Sequence, residues 1–164
     1  MRAGALILVL TSFLLLSGCA SFPKKVAEGD CLILVKADVV DPERAPVHRD
    51  YYFNLDGGYK QVLVFQRSGY ASILIHEPGV SIATISTNVS GQTQGTYGKY
   101  QVDIKLPYEA GKVVILDTVF TQTIKSAGQN SYISSLNTRK LTSAEKSALL
   151  DQVSSLPEYA TWSQ

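Results

Sequence analysis

Apolar and polar positions divide the chain into one apolar leader and a series of short runs. Residues 6–16 are nearly all apolar, and the polar stretch 20–30 (ASFPKKVAEGD) follows soon after. Cys31–Val40 (CLILVKADVV) is almost fully apolar at its start and rich in β-branched residues, which suits a central strand. Residues 100–106 alternate, with Tyr100, Val102, Ile104 and Leu106 on one face and Gln101, Asp103 and Lys105 on the other. That period predicts a half-buried strand of an antiparallel sheet. Similar runs predict strands over 51–55, 60–66, 70–76, 80–86, 112–124 and 132–136. Asp56-Gly57-Gly58 and Glu77-Pro78-Gly79 supply turns between them, since Gly accepts positive φ and Pro presets it. Residues 41–50 (DPERAPVHRD), with two Pro and five charges, read as a loop.

One helix is predicted, over about 143–156. Thr142-Ser143-Ala144-Glu145 fits a capping box in which Thr142 caps and Glu145 reaches back. Leu149, Val153 and Leu156 then fall near one face, with Leu150 beside them, and Pro157 ends the run. Seven or eight strands at this spacing predict a mainly β chain: a single antiparallel β-sandwich with one C-terminal helix covering a sheet edge or face. The expected division is a signal peptide at 1–18, a tether at 19–30 and the sandwich with its helix at 31–164.

Composition sharpens the function classes. The chain has 164 residues, which suits one domain. With 15 Lys and Arg against 14 Asp and Glu it is nearly neutral, so no broad field attracts nucleic acid. Hydrophobic residues at 45% favour a packed core over disorder. Two cysteines are too few for a disulfide scaffold or a cysteine-rich zinc fold.

The N-terminus is more specific. Arg2 followed by an apolar stretch of about a dozen residues describes a secretory signal peptide, short of the ~20 residues that span a bilayer. Leu16-Ser17-Gly18-Cys19 then resembles the lipobox of bacterial lipoproteins. The resemblance implies cleavage between Gly18 and Cys19, a diacylglycerol on the Cys19 thiol and an acyl chain on the new amine. Ala20, where Asp would favour retention in the inner membrane, implies sorting to the outer one. Loss of Arg2 on cleavage leaves 14 positive charges against 14 negative, so the anchor is the lipid and not charge, although Lys24 and Lys25 can touch anionic head groups.

Three stretches of the mature part resemble small transthyretin-like or carboxypeptidase-regulatory-like β-sandwich lipoproteins of unknown function. They are the leading strand 31–37, the Glu77-Pro78-Gly79 turn before 80–86, and the step Glu109-Ala110-Gly111 into 112–116. This resemblance implies a sandwich in the cell envelope and carries no catalytic residue across.

Candidate chemistry is sparse. His48, Arg49 and Asp50 lie together, and His76-Glu77 end a strand, but no Gly-x-Ser-x-Gly elbow or other nucleophile setting accompanies them. The reading is of solvated histidines, with no catalytic residue assigned. No HExxH or CxxC is present, and Asp38, Asp41 and Glu43 lack the spacing of a calcium loop, so no metal site and no cofactor beyond the covalent lipid on Cys19 are expected. Cys31, the thiol left after lipidation, reads as a buried small hydrophobe, with an intermolecular disulfide as the alternative. Residues 86–99 (STNVSGQTQGTYGK) read as a solvated hairpin end, with a polar binding loop through Asn88, Gln92, Gln94 and Tyr97 as the alternative. The nine tyrosines suggest a surface row suited to protein or glycan contact.

The expected function is a lipid-anchored envelope lipoprotein, non-enzymatic, that binds or scaffolds. Its expected partners are the membrane, through the lipid, and an envelope protein, and it has no nucleic-acid partner. A carrier of a lipid or small apolar ligand and a small envelope hydrolase stand as alternatives.

Overall fold

The computed structural model describes residues 22–40, 48–56, 60–64, 69–90, 95–128 and 131–162. The lipobox, with Gly18 and Cys19, lies outside them. Among the described residues the strands are β1 (Cys31–Val40), β2 (His48–Leu55), β3 (Lys60–Val64), β4 (Gly69–Ile75), β5 (Ser81–Ser90), β6 (Gly95–Lys105), β7 (Val113–Gly128) and β8 (Ser131–Lys140). They form two four-stranded sheets, β4-β1-β7-β8 and β3-β2-β5-β6. The chain is mainly β, a sandwich with its helix near the C-terminus, as the alternation predicts.

One pairing departs from the antiparallel expectation: β1 and β7 run parallel. Residues 106–112 cross from the end of β6 back to the first sheet, so β7 starts at the same end as β1. The pairing Leu32 with Val113 and Leu34 with Ile115 follows, with a bulge before Lys36 meets Val119. Hairpin logic governs neighbours in sequence, whereas β1 and β7 are separated by five strands that visit both sheets.

Burial on both faces explains the apolar start of β1. Its odd residues Cys31, Ile33 and Val35 face the second sheet and pack with Phe53, Ile82 and Ile85. The Phe53 and Phe120 rings meet edge to face, 5.4 Å apart. Its even residues Leu32 and Leu34 join Ile115 and Val119 in a second cluster under Leu149 and Val153 of helix α1 (Ser143–Ser154). The molecule is therefore three layers: sheet, sheet, helix.

The capping box forms as the spacing predicts. The Glu145 N–H donates to Thr142 Oγ1 (3.2 Å), and the Thr142 N–H donates to Glu145 Oε2 (3.0 Å). Helix α1 stops at Ser154, and Pro157 opens a separate 3-10 helix, Pro157–Thr161. No helix among the described residues is long and apolar enough to cross a membrane.

Three local expectations change. Residues 22–30, read as tether, pack onto the helix layer: Phe22 is buried in the second cluster, and its ring lies 6.1 Å from that of Tyr159. The Trp162 indole N–H donates to the Pro23 carbonyl (2.8 Å) and the Lys25 N–H to Thr161 Oγ1 (3.1 Å). Among the described residues the packed body therefore includes Phe22–Asp30. Residues 48–50, read as loop, already belong to β2. The stretch 86–99 is a hairpin end as read, but β5, expected to end at Ser86, runs on to Ser90, and β6, expected to start at Tyr100, starts at Gly95, the two staying paired from Ser86 with Lys99 out to Ser90 with Gly95. Its Ser and Thr residues suggested loop by polarity, but Thr is β-branched and suits a strand.

Candidate functional site

The register of β1 against β4 builds the main polar cluster. Cys31 sits opposite Ile75, so the residue before β1, Asp30, meets the residue after β4, His76. Asp30 Oδ1 and His76 Nδ1 lie 2.6 Å apart. Asp30 Oδ2 accepts the N–H groups of Val26 (3.1 Å) and Ala27 (2.8 Å). The Asp30 side chain is 2% exposed and that of His76 52%. Burial would raise the Asp30 carboxyl, but the Ala27 N–H, the His76 ring and the Val26 N–H together outweigh it and hold the group below its usual 3.8. Asp30 is therefore ionised, and the His76 Nδ1–H donates to it.

Neighbouring backbone completes the cluster. The Asp30 carbonyl accepts the Gly111 N–H (2.7 Å), and the Gly29 carbonyl accepts the Tyr108 hydroxyl (2.7 Å). Gly111 holds φ +75°, a conformation that favours glycine, and packs close to Lys25 and the Glu28 carbonyl. Residues 22–30, the β4–β5 turn and the 106–112 crossing are thus pinned together at one end of the sandwich.

An Asp-oriented histidine is the base half of a nucleophilic site. The nearest thiol does not supply the other half. Cys31 Sγ is fully buried and accepts the Glu109 N–H at 3.4 Å. Its thiol is pushed up by burial, against the Glu109 N–H and with the Glu109 charge, which leaves it protonated and inert. Cys31 is free, and its burial bears out the small-hydrophobe reading. Among the described residues no group of three or more His, Cys, Asp or Glu is placed to hold a metal ion.

The other histidine is remote. His48 begins β2 opposite Ser90, and Ser90 pairs with Gly95, at the far end of the strands from His76. The two histidines cannot share a site, since β1 alone spans about 33 Å at ~3.3 Å per residue. Of the binding candidates, Asn88 and Tyr97 stand opposite each other in the β5–β6 hairpin. Gln92 and Gln94 lie outside the described residues.

Asp38 is part of an ion-pair network; Asp41 and Glu43 lie outside the described residues. Lys36 Nζ contacts Asp38 (2.7 Å) and Glu145 (3.0 Å), and Arg139 contacts both (2.6 Å each). The Arg139 guanidinium first, then the Thr142 N–H and Lys36, hold the Glu145 carboxyl far below its usual range. The network fastens β1, β8 and the start of α1.

The tyrosine row does not form among the side chains described. Tyr52, Tyr70, Tyr100, Tyr108 and Tyr159 are all half-buried. Tyr100 donates to the Ser134 carbonyl (3.1 Å), linking the edge strands β6 and β8 of the two sheets.

Between the sheets, Ala37, Phe53, Ile85, Phe120, Gln122 and Leu136 line a cavity of about 10 Å³. That is room for one water and not for a ligand.

His76 is visible in the sequence as a strand-end histidine, but its pairing with Asp30 is not, because the two are 46 positions apart and meet only through the β1–β4 register. Phe22 escaped as a lone aromatic in a polar stretch, and that isolation was its signal. No protein-family model matches the chain, and comparison with curated proteins finds no match.

Proposed function

We propose that the chain is a bacterial envelope lipoprotein, anchored by lipid on Cys19, whose sandwich is a non-catalytic binding or scaffolding module. The observation that carries it is a complete lipobox, Leu16-Ser17-Gly18-Cys19, ending three residues before the buried Phe22. Two or three acyl chains hold a protein to a bilayer stably, at ~0.8 kcal/mol per buried CH₂. Ala20 after the cysteine favours the outer membrane.

The direction of the strands supports the binding role. β1, β5 and β7 all start at the anchored end and run away from it, so the β5–β6 and β7–β8 hairpins turn at the far end. Recognition through the β5–β6 hairpin, with Asn88 and Tyr97 as the candidates, faces a partner across the envelope. The carrier alternative needs several hundred Å³ of apolar space, against the cavity of about 10 Å³. The hydrolase alternative has His76 oriented by Asp30, and the thiol next to that pair, Cys31, is buried and protonated.

The test is in-cell crosslinking of the full chain, followed by identification of what is captured. A stoichiometric envelope protein, lost when Asn88 and Tyr97 are both replaced by Ala, supports the reading. Recovery of the bare chain overturns it. Cys19→Ser must abolish lipid labelling and leave the precursor uncleaved; normal processing of that variant removes the anchor.

A further inference from the structure

Resting on that lipoprotein reading, we infer that the Phe22–Asp30 strap and the 3-10 helix beside it form a membrane-contact surface. The occupant is the phospholipid headgroup layer of the leaflet that holds the anchor. The argument is one of reach. Three peptide steps separate Cys19 from Phe22, and they span at most about 11 Å even when extended. A headgroup layer is itself about 5–8 Å thick. A lipidated Cys19 therefore leaves no stalk, and whatever surface surrounds Phe22 lies against the bilayer.

That surface is held rigidly. Phe22 is 7% exposed in the cluster with Trp162 and Tyr159. Pro23 and Lys25 are tied to Trp162 and Thr161 through their backbones. Val26 and Ala27 are tied to Asp30. With its backbone drawn inward, Val26 turns its side chain out and is 83% exposed. Lys24 beside it is exposed, as is Lys112, which follows the Gly111 packed against Lys25. An apolar tip flanked by lysines suits the boundary between headgroups and acyl chains, where long cationic side chains reach phosphates. Glu28 and Glu109 stand near the same lysines, so contact comes from the short leash and not from charge alone.

The experiment places a spin label at Val26→Cys and, separately, at Ile133→Cys, which is 63% exposed on β8. Cys31 is buried and the Cys19 thiol is acylated, so labelling is selective. The full chain is reconstituted in phosphatidylethanolamine–phosphatidylglycerol vesicles containing a nickel-chelating lipid, and its mass establishes acylation. The expected result is relaxation by headgroup nickel several-fold stronger at position 26 than at 133. A flexible Gly/Ser insert of about twenty residues between Ser21 and Phe22 should collapse that difference. Acylated protein with equal relaxation at both positions overturns this inference alone. An unacylated Cys19 overturns the lipoprotein reading and this inference with it.

Discussion

Asp30 is a carboxylate almost out of water, kept charged by two backbone N–H groups and the His76 ring. Removing the charge leaves those donors facing a weaker acceptor, so Asp30→Asn should cost about 1–3 kcal/mol near neutral pH. The pH dependence follows from the direction of its shift. The folded carboxyl lies below 3.8, the value of the free group, so the unfolded chain binds the proton more readily. Its contribution is full above about pH 4 and fades as pH falls through the folded value. Urea titrations of both proteins at about pH 7 and pH 3 check this. The gap between them should narrow in acid, and an unchanged gap would show that Asp30 does not act through its charge.

At the scale of elements, helix α1 stands on a cap that is visible in the sequence and a face that is partly so. Thr142→Ala removes the side-chain acceptor for the Glu145 N–H and should cost about 1 kcal/mol. Leu149→Ala opens space against Leu34 and Val119 and should cost about 2–4 kcal/mol. If thermal unfolding ranked the two the other way, the helix would be held by its end and not by its buried face. The alternation in 100–106 predicted β6 correctly because one face of that edge strand is wet, and Gln101, Asp103 and Lys105 are indeed exposed. The apolar start of β1 showed burial on both sides, yet it carried no trace of a parallel neighbour. A strand's own pattern records what covers its faces, while the direction of the strand at its edge is set by a crossing far away in sequence. The same reason hid the Asp30–His76 pair, whose members become adjacent only once Cys31 and Ile75 are in register.

For the whole molecule the decisive joint is the strap that closes the helix layer, because it ties the N-terminal segment to the last residues described. Trp162, the chain's single tryptophan, is 4% exposed and donates its indole proton to Pro23, so its fluorescence reports directly on docking of the strap. A chain beginning at Phe22 should therefore emit in the blue, as a buried indole does. One beginning at Cys31 loses the Phe22 ring, the Pro23 acceptor and Asp30 itself, with its pair to His76, at once. Its emission should shift to the red while its far-ultraviolet dichroism stays mainly β, because the cluster between the sheets contains no strap residue. Loss of the Phe22 contacts alone should lower stability by about 3–5 kcal/mol, as for a large buried aromatic. Identical emission and equal stability of the two chains would mean that the strap is an appendage and that the body begins at Cys31. A red shift with retained sheet would instead establish the strap as an integral part of the helix layer, tied through Phe22 to Trp162 and Tyr159 and through Asp30 to the end of β1.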